Sequence, residues 1–436
     1  MTLIAFIVGV VLLVVGLAAS IALHEVGHLV PAKLFGVRVG RYMVGLGPTL
    51  WSRRFGETEY GVKLLPLGGY ISMAGMYPPA PQNVPATAAS RARAGFFASM
   101  VQDARAANEE TLDGVDRTGT FYALPVWRRI VIMLGGPVMN LLLAMLLFAI
   151  VFSGIGVQTA TTTIAAVNQC VLPAGSTQTA CAADDPVSPA AAAGIQPGDV
   201  IVSVDGTSVK TFEEASAIIQ ASPNRAIAVV VRRDGVEQTL QVTPLLAQRQ
   251  IAGPDGTTVT ADVGFVGMTA MTDYVHQPLW AGPAAAVQQA GQVVGIMGQL
   301  PARVYQTASD MITGAPRDPN GPLSVVGVGR LAGEAAATDA PILNRVATIL
   351  GLLGSLNLAL FVFNLIPLLP LDGGHVVIAL WDGLKRAWAL LWRRPPPRAV
   401  DATKLVPVTF VVVIAIVVMG GILILADIVN PLKIFG

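Results

Sequence analysis

Four stretches of this chain are apolar for long enough to cross a bilayer, which takes about 20 helical residues. They run roughly from Met1 to Leu23, Ile130 to Gly154, Val346 to Leu371 and Leu405 to Ala426. Hydrophobic residues make up 53% of the chain and charged ones 13%, far from the balance of a soluble domain, so the expected setting is a membrane. The first stretch has no basic residues ahead of it, and its apolar run exceeds the ~7 to 15 residues of a signal-peptide core. It is therefore expected to stay as a span.

The net charge of +1 gives no support to nucleic-acid binding, and its distribution is more informative than its sum. Basic residues crowd the loop between the first two spans, from Lys33 through Arg53 and Arg54 to Arg128 and Arg129. They crowd again between the last two spans, from Lys385 to Lys404. Positive loops stay inside, so both should be cytoplasmic, with the termini and the segment from about Ile155 to Arg345 outside. Cys170 and Cys181 fall in that outer segment, where a disulfide can persist; two unpaired thiols are the alternative.

From Val187 the outer segment breaks into short β-branched runs, Val200 to Val204, Ala228 to Arg232 and Gln238 to Val242, with a helical stretch from Thr211 to Gln220. The sequence Ala193-Gly194-Ile195-Gln196-Pro197-Gly198-Asp199-Val200-Ile201, followed by Val204-Asp205-Gly206, resembles the PDZ domains of bacterial envelope proteases. Such a module captures an extended peptide as an added strand. Pro78 to Thr120 is rich in Ala, Arg and Pro and reads as an insertion, helical near Ala94 to Glu110 and otherwise mobile. Pro283 to Ser309 reads as a surface-lying amphipathic helix rather than a fifth span.

The chemistry gathers at His24-Glu25-Val26-Gly27-His28. On a helix, residues four apart share a face, so two imidazoles can hold one Zn²⁺ with Glu25 beside them as general base. The chain has only four histidines, and two of them stand here, at the end of a span where ionisable groups are costly. Zinc needs a third protein ligand. The acids in or next to the spans are Glu25, Asp372 and Asp427; the charge rule puts Asp427 on the outer side and Asp372 near the level of His24 and His28. Asp372 is the expected third ligand, with His375 as its rival.

These motifs resemble the site-2 protease family of intramembrane metalloproteases. The likeness rests on HExxH at the first span, on Asn364-Leu365-Ile366-Pro367-Leu368-Leu369-Pro370-Leu371-Asp372-Gly373-Gly374-His375 at the third, and on the interposed PDZ-like segment. It extends to Gly45-Leu46-Gly47-Pro48, Pro66-Leu67-Gly68-Gly69-Tyr70 and Gly136-Pro137-Val138-Met139-Asn140. Among its members the chain looks most like the actinobacterial regulators of sigma-factor signalling. The resemblance implies His24, His28 and Asp372 as ligands of one Zn²⁺ per chain, with Glu25 as the catalytic base. It also implies substrate contacts at Asn364 and Pro367, and a membrane-associated β-loop, with Gly68 and Gly69, offering a strand edge to an unwound substrate helix. Gly135, Asn140, Gly351 and Asn357 read mainly as close helix packing, with hydrogen bonding near the site as the alternative for the two asparagines.

The expected fold is a polytopic α-helical membrane protein, with four transmembrane helices, a β-loop and an α+β PDZ-like extracytoplasmic domain. The expected division is 1–76 (first span and β-loop), 77–125 (insertion), 126–154 (second span), 155–270 (PDZ-like), 271–345 (amphipathic linker) and 346–436 (last two spans). The expected partners are the lipid bilayer and single-span membrane substrates such as pre-trimmed anti-sigma factors, with the PDZ-like module contacting substrate or an outer-side peptide. A membrane-anchored adaptor with an inert metal site, or a transporter, are the competing classes; the lack of internal repeats weighs against the latter.

Overall fold

The computed structural model describes residues 2–77, 96–112, 116, 119–171, 181–182, 185–252, 258–395 and 397–432. They form two compact units, one of Met1–Ile155 with Pro278–Gly436 and the other of Gly156–Gln277.

The first unit begins with α1 (Thr2–Leu34), which carries the HExxH residues in its C-terminal half. Two long antiparallel strands follow, β1 (Val39–Phe55) and β2 (Thr58–Met73), with Val44 opposite both Gly69 and Val62. Then come α2 (Phe96–Glu110) and α3 (Val126–Ala149), which continues in wider turns to Ile155. The helical part of the insertion is thus where the sequence suggests. Of the flanks expected to be mobile, 78–93 lies outside the described residues, whereas after α2 Thr111 accepts from the Gly75 amide at 3.2 Å and Thr120 is buried, so that end is packed on the unit. After the second unit the chain returns as α5 (Ala281–Met297), α6 (Leu300–Thr313), α7 (Val325–Ala337), α8 (Ile342–Asn364), α9 (Asp372–Leu391) and α10 (Val406–Val429), α4 belonging to the second unit.

Among the described residues four helices are long and apolar enough to span a membrane: Leu3–Leu34, Val126–Ile155, Ile342–Asn364 and Ala402–Val429. With lipid as apolar as any side chain, such helices associate through small residues that let backbones approach. Gly9 of α1 packs on Ala332 and Ala336 of α7, Gly16 meets Leu353 of α8, and Gly27 lies on the backbone of Gly135 and Gly136 in α3. Larger side chains fill the remaining space: Ala144 and Phe148 meet Ala286, Ala290, Leu358 and Val362 where α3, α5 and α8 converge.

Two expectations change here. The apolar run from Val346 to Leu371 is not one helix, because α8 stops at Asn364 and Leu365–Leu371 turns back before α9 begins. Pro367 and Pro370 cannot donate the backbone bonds that a continuing helix needs. Asp372 therefore opens α9 instead of closing the third span. The 271–345 segment is also not a single linker: β10 (Met268–Val275) closes the second unit, whereas α5, α6 and α7 belong to the first.

The second unit is a six-stranded sheet in the order β10-β3-β4-β6-β7, with β5 off β4, plus a separate β8–β9 hairpin. Its elements include β3 (Val157–Val167), a single helical turn at Pro189–Ala192, β4 (Val200–Val204), β5 (Thr207–Ser208), α4 (Phe212–Gln220), β6 (Ile227–Arg233), β7 (Val236–Val242), β8 (Leu245–Ala252) and β9 (Thr258–Phe265). Ile201, Val204, Ile219, Val229 and Val231 form its core. Thr211 caps α4 by accepting from the Glu214 amide at 3.2 Å, as its position before the apolar run suggests. Beneath the Pro-Gly turn, Asp199 is buried and accepts two bonds of 2.8 Å from Arg233 and one of 2.9 Å from the Gln196 amide. Cys170 and Cys181 are joined in a disulfide.

Candidate metal centre

The i, i+4 spacing of α1 puts His24 and His28 on one face, with their Nε2 atoms 3.3 Å apart. The first turn of α9 brings Oδ2 of Asp372 to 3.4 Å from each of them. Bonds of ~2.0–2.1 Å at tetrahedral angles hold zinc ligands about 3.3–3.4 Å apart, so the three atoms already have the spacing of a zinc site. Oδ2 of Asp372 is buried and has no hydrogen-bond partner, the condition of an anionic oxygen arranged for a cation. Among the described residues this is the group able to hold a metal. His375 is not part of it; its ring lies 6.3 Å from that of Tyr77, and the rival reading of the third ligand is set aside.

Each imidazole is aimed from behind. Nδ1 of His28 donates to the Ile132 carbonyl of α3 at 2.7 Å, which turns its Nε2 to the cluster. Nδ1 of His24 lies 3.1 Å from the Asn140 side-chain amide. With Nε2 facing the cluster, Nδ1 carries the proton, and turning the amide over lets the buried Oδ1, otherwise without a partner, accept it. Asn140 is thus the hydrogen-bonding residue that the sequence offered as the lesser alternative. Asn357 instead donates to Ser20 Oγ at 2.9 Å, one turn ahead of His24. The role of the Ile132 carbonyl had no sequence signal, since it belongs to the backbone.

Glycines make the convergence possible. A methyl at Gly136 would stand 2.7 Å from Cε1 and 2.8 Å from Nε2 of His24, and would collide with Nε2 of His28. One at Gly373 would meet the Leu365 carbonyl carbon at 2.6 Å, and one at Gly374 the Leu369 nitrogen at 2.6 Å. The two glycines after Asp372 therefore let the turn that follows Asn364 fold onto the start of α9.

Glu25 is buried beside the two histidines. The β-loop reaches it: a Cβ at Gly69 would lie 3.0 Å from Cγ of Glu25 and 3.1 Å from Ile21. Gly68, at φ +94°, turns in the left-handed region that glycine tolerates. Tyr42 of β1 also ties the loop to the helix, donating to the Ala22 carbonyl at 2.8 Å. Asn364, half-buried, donates to the Leu360 carbonyl at 3.0 Å, and Pro367 is exposed on the turn between α8 and α9.

A HExxH helix joined by a carboxylate from a second helix, in a chain whose described residues include four helices long and apolar enough to span a membrane, defines a membrane metalloprotease. The chain belongs to peptidase family M50, the site-2 proteases, which it matches over residues 12–414. It is a zinc metalloprotease. It is 32% identical over 439 residues to zinc metalloprotease Rip1 of Mycobacterium tuberculosis, covering 99% of each chain. It is 31% identical over 449 residues to the Rip1 of Mycolicibacterium smegmatis, again 99% of each, and 30% identical over 408 residues to metalloprotease MmpA of Caulobacter vibrioides, 88% of each.

Proposed function

We propose that this protein hydrolyses peptide bonds of single-span membrane proteins within the bilayer, in regulated intramembrane proteolysis of substrates such as anti-sigma factors already trimmed on their outer side. The observation that carries the reading is the triad of His24 Nε2, His28 Nε2 and Asp372 Oδ2 at 3.3–3.4 Å beside Glu25, on helices of a membrane-spanning unit. Those three residues would hold one zinc ion per chain. Bound there, zinc supplies a Lewis acid for the scissile carbonyl and makes water a better nucleophile at neutral pH.

The protein's own groups do the rest. Glu25 takes a proton from the attacking water as the carbon–oxygen bond forms, and returns it to the amide nitrogen as the carbon–nitrogen bond breaks. The Ile132 carbonyl and Asn140 keep both imidazoles oriented throughout. A substrate helix has to unwind before its amides can be reached, and the freed backbone needs partners. The β2 edge at Gly68 and Gly69 offers them next to Glu25, with Asn364 and Pro367 holding the substrate from the other helix.

The basic loops support a topology in which the active site lies near the cytoplasmic face, with the termini and the second unit outside. The agreement of β4, α4, β6 and β7 with the sequence pattern supports a PDZ-like assignment for the second unit. It would exclude substrates that still carry a bulky outer domain.

The deciding experiment is hydrolysis of a membrane-embedded test substrate by Glu25→Gln. Loss of cleavage with zinc retained supports the protease; retained cleavage refutes the role of Glu25.

A further inference from the structure

The helix that opens with Asp372 has a second face that the metal centre does not use. Val377, Trp381, Leu384, Trp388, Leu391 and Trp392 are all 45–75% exposed. At 3.6 residues per turn they fall within an arc of about 100°, one continuous stripe along four turns. The packed face holds Ala379, Asp382 and Ala389 instead. Yet α9 is not among the four helices long and apolar enough to cross the membrane.

Its depth is set by a buried ion pair. The Asp382 carboxylate accepts two bonds of 3.1 Å from Arg129, which lies in the first turn of α3 where the second span begins. At that level Arg128 stacks over the rings of Trp127 and Phe35, at 5.2 and 5.3 Å. Trp and Arg together mark the water–lipid boundary. The middle of α9 is thus tied to the first turn of the second span, and the helix is tethered at both ends to candidate spans, α8 and α10. Arg386, Arg393, Arg394 and Arg398 stand exposed along it and just beyond its end. An apolar stripe with tryptophans, closed at its C-terminal end by Arg393, Arg394 and Arg398, is the composition of a helix lying in the plane of an interface.

We propose that α9 rests on the bilayer surface, with its tryptophan stripe in the upper acyl chains and its arginines on the phosphates of anionic phospholipids. This seats the helix whose first turn presents Asp372.

The test uses the full chain in phosphatidylcholine vesicles with and without phosphatidylglycerol. Because the two cysteines are bonded to each other, Leu391→Cys supplies one free thiol for a spin label. In vesicles with phosphatidylglycerol the label should collide several times more often with oxygen than with a water-soluble nickel chelate. Each basic residue near an anionic surface contributes roughly fivefold to the attraction, so Arg393→Glu with Arg394→Glu should weaken the seating at least 25-fold there and move the label into water. A label open to the chelate in both vesicles overturns the proposal. Equal shielding with and without phosphatidylglycerol removes the anionic lipid from it, and spin–spin broadening would mean that a second copy covers the stripe.

Discussion

Gly136→Ala is the smallest change that should dismantle the metal centre. Its methyl would lie 2.7 and 2.8 Å from His24 Cε1 and Nε2, about 0.7 Å inside the ~3.5 Å of ordinary contact, with Nε2 of His28 closer still. Neither ring can simply retreat. His28 is held by the Ile132 carbonyl at 2.7 Å, and His24 by Asn140 at 3.1 Å. Zinc ligands tolerate displacements of about 0.2 Å, so a shift three times larger costs at least one good bond. Disturbing the supports of a ligand usually lowers metal affinity 10–100-fold, about 1.4–2.7 kcal/mol, and direct intrusion should do no less. The assay is zinc competition with a chromophoric chelator on the purified protein. Gly351→Ala is the control, since nothing lies within 4 Å of its added Cβ and the helix should gain up to ~1 kcal/mol. Wild-type zinc affinity in Gly136→Ala would refute the closeness of α3 to the site.

Three further outcomes follow from other contacts. Asp382→Asn leaves the Arg129 guanidinium buried without its counter-charge, so thermal stability should drop by about 3 kcal/mol; an unchanged melting temperature would remove the pair as an anchor of α9. The Arg233 hydrogen bonds hold the Asp199 carboxyl below the usual carboxylate range, so this stabilisation is present above about pH 4 and is lost as pH falls through the depressed folded value. Hydrogen exchange in β4 and β6 should therefore accelerate in acid, whereas Asp199→Asn should start less protected and lose less; equal acid sensitivity would discount the pair. Single cysteines at Glu57 and Gly235 should be labelled from the cytoplasm and from outside respectively, and the reverse would invert the topology.

What could be read from the sequence was local in character. His24 and His28 lie one helical turn apart, so a periodic pattern reveals their shared face. The four spans are runs of hydropathy, and the second unit's β-branched runs, with Thr211 as a cap, mark β4, β6, β7 and α4 to within two residues, while β3, β5, β8, β9 and β10 were not marked. Asp372, the proposed third ligand, was reachable only because so few acids border the spans. Its helix was misassigned because hydropathy averages over Leu365–Leu371 and does not register the turn between α8 and α9. The supports of the histidines were harder still to read. Asn140 was visible as a polar residue in an apolar span, but the Ile132 carbonyl and the space kept open by Gly136 depend on how α3 crosses α1. The pairing of Arg129 with Asp382 joins residues 253 positions apart, and nothing local announces it.

Zinc analysis of four purified variants tests the centre most directly. The wild-type protein and Glu25→Gln should each hold one zinc per chain, with Glu25→Gln unable to cleave a membrane-embedded substrate, whereas His24→Ala, His28→Ala and Asp372→Ala should lose both metal and activity. Full zinc occupancy in Asp372→Ala would contradict the account, because the carboxylate that opens α9 would then not be a ligand.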